Sequence, residues 1–171
     1  SGDFYWADIQ TQHLIFAVVD CTGHGVPGAF MSVVGHNSLN QCAHEYHLMY
    51  PNEILTALDG LVRYTLRQDS NLNSKDGMDV GLITYFPGSG KIYFAGANRP
   101  LYHYHNGVIT EYKGDRFPIG GTQYAEKFFT LQEIPAVKGD RIYLFTDGLT
   151  DQMPKIHGRL VGFRYGPLFT W

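Results

Sequence analysis

Apolar and polar positions along the first twenty residues predict two strands, 4–9 and 14–19. The second reads Leu-Ile-Phe-Ala-Val-Val, wholly apolar, which predicts a strand covered on both faces of its sheet. A glycine-rich turn follows at 21–28. Beyond it Phe30, Val33, Val34 and Leu39 recur at approximately helical spacing and predict a helix over 29–46. Pro51 opens a second helix, in which Ile54, Leu55, Leu58, Leu61, Val62 and Leu66 return every three or four positions. After a polar, turn-rich stretch at 69–77 the pattern turns strand-like. Strands are predicted at 78–86, 91–95, 101–105, 108–113 and 141–146, with a further one at 127–134. Pro87-Gly88-Ser89-Gly90 and Asn106-Gly107 join neighbours by short turns, so most of the sheet is antiparallel. Two early helices followed by a run of strands predict an α+β domain with helices packed on sheet. From Gln152 onward the pattern fails, and 153–171 carries no assignable element.

Composition narrows the class of protein. A chain of 171 residues with 44% hydrophobic and 17% charged residues is one folding unit, neither disordered nor a coiled coil. Thirteen basic against sixteen acidic residues leave a formal charge of -3 with no basic cluster, which argues against a nucleic-acid partner. The apolar run 14–19 is far short of the ~20 residues that span a bilayer, so no membrane contact is expected of this domain. Cys21 and Cys42 are the only cysteines, too few for a disulfide scaffold and without zinc-site spacing, which fits a reducing, cytoplasmic setting. Residues 1–6 have no secretory pattern, and a start without Met reads as part of a longer chain.

Gly23-His24-Gly25-Val26-Pro27-Gly28 satisfies the G-x-G-x-x-G spacing of a dinucleotide-binding turn. The context rejects it, because a second helix and antiparallel hairpins follow where that fold needs a parallel strand ending in an acid. No Lys-Ser or Lys-Thr follows for a nucleotide P-loop either. More telling is Asp20, directly at the end of an apolar strand. Asp147 likewise ends an apolar run and precedes Gly148, and Asp3 follows Gly2 where the first strand opens. If those strands are neighbours, three carboxylates converge at one sheet edge, and hard oxygen donors select Mg²⁺ or Mn²⁺ over zinc. Each Asp-Gly alone is ordinary turn chemistry. His24 reads as a loop residue near the site and Asp151 as a helix start or solvated turn.

Taken in order, five segments are distinctive: Ser-Gly-Asp-Phe-Tyr-Trp (1–6), Val-Val-Asp-Cys-Thr-Gly-His-Gly-Val-Pro-Gly-Ala-Phe-Met-Ser (18–32), Gly-Ala-Asn-Arg-Pro-Leu (96–101), Phe-Pro-Ile-Gly-Gly (117–121) and Phe-Thr-Asp-Gly (145–148). Together they resemble the bacterial SpoIIE-like branch of the metal-dependent serine/threonine protein phosphatases, over residues 1–152. The resemblance implies two antiparallel sheets flanked by helices, a four-layer αββα sandwich, with two Mn²⁺ or Mg²⁺ ions at one end. It implies that Asp20 bridges the ions, that Asp3 and Asp147 are acidic ligands, and that Cys21 contributes its main-chain carbonyl. Arg99, in the loop after Gly96, matches phosphate in shape and charge and is a candidate substrate contact, against the reading that an arginine in a hairpin turn is usually just solvated.

The function expected on this basis is metal-dependent hydrolysis of phosphoserine or phosphothreonine on a partner protein in bacterial signalling. An anti-sigma-factor antagonist is the kind of partner implied, and sensor domains are expected in the parent chain. The alternative is a catalytically inactive, phosphoprotein-binding or regulatory module of the same fold. The family pattern continues through a helix to a last strand with another metal-binding aspartate, usually in an Asp-Asp pair, and begins with a strand before Gly2. Neither stands in residues 1–171, so the chain reads as a core cut short at both ends.

Overall fold

The computed structural model describes residues 2–68, 76–124 and 126–150, with 149–150, 155–156 and 159–160 described by backbone alone. The chain begins with the hairpin β1 (Phe4–Ile9) and β2 (Leu14–Cys21). Then come α1 (Gly25–Asn40), a π-helical turn at Gln41–Glu45, and α2 (Pro51–Thr65). Strands β3 (Gly77–Phe86) and β4 (Lys91–Ala97), then β5 (Leu101–His105) and β6 (Val108–Tyr112), follow as two hairpins in different sheets. Short strands β7 (Ile119–Gly120), β8 (Gln132–Ile134) and β9 (Arg141–Tyr143) lead to a one-turn helix α3 (Asp147–Thr150). Lys155–Ile156 and Arg159–Leu160 form a further antiparallel pair, β10 and β11.

One antiparallel sheet runs β1-β2-β3-β4-β8, with β7 beside the start of β3; a second runs β6-β5-β9. Side chains alternate across a strand, so β2 sends Ile15, Ala17, Val19 and Cys21 to one face, where all four are buried. That face carries α1 and α2. Ile54, Leu55, Leu58 and Val62 of α2 are each at most 1% exposed against it, every one worth about 1.5–3 kcal/mol of burial. A smaller core of Phe94, Leu101 and Ile134, with Ile83, Ile92 and Leu144, fills the space between the two sheets. The expected antiparallel sheets with helices packed on them are therefore present, the described helices α1 and α2 lying on the outer face of the larger sheet. No helix of the described residues is long and apolar enough to cross a membrane.

Four expectations change. The strand expected at 141–146 stops at Tyr143, and Asp147 begins α3 instead of ending a strand. The first helix starts at Gly25, earlier than position 29, because Pro27 and Gly28 are accommodated in a first turn whose N–H groups have no helical partners. It also ends as an α-helix at Asn40, continuing as a π-turn to Glu45, and two of its four diagnostic apolar residues, Phe30 and Val33, face outward. Strand β2 is not covered on both faces: Phe16 is 37% exposed, because the described three-stranded sheet packs under β3 and β4 rather than under β1 and β2. The strand expected at 127–134 is confined to Gln132–Ile134, since Lys127 is drawn into α2. Asp151 lies outside the described residues.

Candidate metal centre

The three aspartates singled out in the sequence meet. Carboxylate oxygens of Asp3, Asp20 and Asp147 all lie within 4.8 Å of one another, although the residues are far apart in the chain. Each is delivered by a different element. Asp20 is near the end of β2, Asp3 immediately precedes β1, the strand paired with β2, and Asp147 is the first residue of α3. The glycine loop explains how Asp3 is brought in. Gly2 and Gly28 pass so closely that a Cβ on Gly2 would lie 2.8 Å from the Gly28 carbonyl oxygen and 2.9 Å from Cys21 Cβ. Ser32 Oγ then donates to both the Gly2 and Gly28 carbonyls, at 2.7 and 3.0 Å, and fastens the segment to α1. The small residues Gly2 and Gly28 thus serve close backbone contact.

Arg99 enters from the β4–β5 loop. Its Nη2 contacts Asp20 Oδ2, and lies 3.6 Å from Asp147 Oδ2 and 3.9 Å from Asp79 Oδ2. Asp79, which the sequence reading missed, stands opposite Asp20 in the β2–β3 register, and its Oδ1 accepts a hydrogen bond from Asn98 Nδ2 at 2.9 Å. A signal was there: Asp79 is a lone acid between buried Met78 and Val80. Burial pushes the Asp20 carboxyl up, to about 6; Arg99 draws it down, and the like charges of Asp3 and Asp147 push it further up. Burial also raises Asp79, against the Asn98 hydrogen bond and Arg99.

Cys21 directs its side chain into the helix-side core, and burial pushes the thiol up to about 12, so it stays protonated at neutral pH. His24 is the exposed residue preceding α1 and stands outside the carboxylate cluster. A shallow recess of about 270 Å³, lined by Asp3, Phe4, Tyr5, Val18 and Thr146, opens beside the cluster. A larger cleft of about 640 Å³, containing Asp8, His13 and His44, lies at the other end of the β1–β2 hairpin, away from these carboxylates. The cluster offers three carboxylates and no imidazole or thiol, a hard-oxygen set that fits Mg²⁺ or Mn²⁺.

Comparison with known proteins identifies the family and the fold. Residues 10–164 match the family model of stage II sporulation protein E, so the chain belongs to the SpoIIE family. The SiaA-PP2C domain of Pseudomonas aeruginosa is 33% identical, with a TM-score of 0.79 over 94% of this chain and 61% of that one. The PP2C phosphatase domain of the cell fate determinant SpoIIE from Bacillus subtilis, solved with a fragment of its regulatory domain, is 15% identical. It has a TM-score of 0.68 over 88% of this chain and 42% of the other. RsbX in complex with magnesium is also 15% identical, with a TM-score of 0.61 over 86% and 67%. The fold is thus that of PP2C phosphatase domains, and this chain spans less than two thirds of the SiaA domain. No curated protein matches the chain.

Proposed function

We propose that this chain hydrolyses phosphoserine and phosphothreonine on a partner protein, with two Mn²⁺ or Mg²⁺ ions held by Asp3, Asp20 and Asp147. The observation that carries the reading is the meeting of those three carboxylates within 4.8 Å at one end of a PP2C phosphatase fold. Asp20, whose carboxyl feels both Asp3 and Asp147, would hold the ions together with them, and the Cys21 main-chain carbonyl would be a further ligand. Bound divalent ions supply an activated water and neutralise phosphoryl charge. The chain's own part is to hold the donors in place, and to present the Arg99 guanidinium to phosphoryl oxygens, whose geometry it matches. Direct attack by water needs no protein nucleophile, and the raised Cys21 thiol is unsuited to be one. The complex of RsbX with magnesium supports the choice of ion. Two free, buried cysteines support a cytoplasmic setting, and SpoIIE membership supports a phosphorylated signalling protein, such as an anti-sigma-factor antagonist, as substrate.

The test is phosphate release from a phosphoserine peptide with added Mn²⁺. Asp20→Asn is expected to lower turnover at least ~100-fold while leaving the far-UV circular dichroism unchanged, because a neutral amide bridges cations poorly. Hydrolysis by the variant at the parent rate refutes the site. Folded parent chain that binds the peptide without hydrolysing it favours the inactive binding module.

A further inference from the structure

Among the described residues, Asp79 is the acid at the site that the ligand assignment leaves unused. It faces Asp20 across the β2–β3 pair, and like charges directly opposite in a sheet repel unless a cation lies between them. Arg99 supplies that cation, in contact with Asp20 and 3.9 Å from Asp79. The loop that carries Arg99 has little freedom. Asn98 has φ 57°, its N–H donates to the Asp115 carbonyl at 2.8 Å, and its side chain donates to Asp79. The Arg99 carbonyl is packed so tightly that a Cβ on Gly96 would lie 2.1 Å from its oxygen and one on Gly114 2.6 Å away. Arg99 Nε is buried with no hydrogen-bond partner, so the guanidinium is steered through its outer nitrogens by the surrounding carboxylates. Divalent ions on Asp20 and Asp147 would repel that guanidinium and take up two of its three acceptors; Asp79 is the third.

We propose that Asp79, oriented by Asn98, is a positioning residue that keeps Arg99 at the carboxylate cluster, turned toward the phosphoryl oxygens, while cations occupy Asp20 and Asp147. This rests on the phosphatase reading above. Calorimetry tests it, with Mn²⁺ titrated into the metal-stripped chain and inorganic phosphate into the Mn²⁺-loaded chain. The parent, Asp79→Asn, Arg99→Gln and the double variant are compared. Each single variant is expected to weaken phosphate binding about tenfold, and the double variant no more than Arg99→Gln alone. Arg99→Gln tightens Mn²⁺ binding, because a competing positive charge is gone, whereas Asp79→Asn shifts it by less than about fivefold. With the phosphoserine peptide, Asp79→Asn raises KM more than it lowers kcat. Unchanged phosphate affinity, additive effects in the double variant, or a loss of Mn²⁺ affinity beyond about fivefold in Asp79→Asn overturns the proposal, the last by making Asp79 a ligand. Should Asp79→Asn not fold, Asn98→Ala carries the test, and phosphate binding as tight as the parent's overturns it. A parent chain that neither binds Mn²⁺ nor releases phosphate refutes the phosphatase reading as well. A parent that does both, with Asp79→Asn unaffected, refutes this inference alone.

Discussion

Asp20 is held between opposing influences: burial, Asp3 and Asp147 favour its protonated acid, and Arg99 favours the anion. With its pKa raised from 3.8 to about 6, the folded chain takes up a proton that the unfolded chain has already released in that interval. The stabilisation from this proton is fully present below the unfolded value and is lost as pH rises through about 6. Divalent ions compete for the same carboxylate. Mn²⁺ affinity is therefore expected to fall about tenfold per pH unit below pH ~6 and to level off above it, measured by calorimetry across that range. Affinity independent of pH would remove Asp20 from the ligand set. The other conspicuous residues resolve differently: Cys21 contributes an inert thiol to the core, and His24 remains at the surface.

Among the elements, the loop that includes Phe117 to Gly121 shows how a motif can act through structure. Gly120 N–H donates to Asp59 Oδ1 of α2 at 2.7 Å, and Gly121 N–H donates to Gln68 Oε1 at 2.8 Å. Lys127, with a side chain 3% exposed, donates to Asp59 and to the carbonyls of Pro118 and Gly120, all within 2.8 Å. The short strand so fixed pairs with Gly77 and Met78 immediately before Asp79, and thus braces the β3 end that faces Asp20. Lys127→Met keeps the aliphatic stem but leaves Asp59 without its ammonium partner. A loss of about 3–5 kcal/mol is expected from urea unfolding. A loss under about 1 kcal/mol would show that the brace is dispensable.

At the scale of the molecule, the helices cover one face of the larger sheet and the second sheet covers part of the other. The part of that second face that no described element covers carries Tyr5, Phe16 and Ile9, with the rings of Tyr5 and Phe16 stacked 6.3 Å apart. Adjacent positions in β2 should therefore respond unequally to truncation. Ile15→Ala, on the helix side, is expected to cost about 2–5 kcal/mol, and Phe16→Ala under about 1.5 kcal/mol, by chemical denaturation. Equal costs would mean that both faces are covered in solution.

Much of this was legible in the residues themselves. Strand β1 matches its expected limits, β5 does the same, and α2 begins at Pro51 as its spacing required, because period and turn chemistry are local properties of the chain. Asp3, Asp20 and Asp147 could be singled out because acids bordering apolar runs are visible in one dimension. Their meeting within 4.8 Å could not be read there, nor could the pairing of Asp79 with Asp20 or the reach of Arg99 among the acids. Those depend on strand order and register, which arise from contacts between distant segments and leave no periodic trace. Side-chain alternation is set by the peptide backbone, but which side of a strand is buried is decided by what packs against it, and only the folded chain decides that.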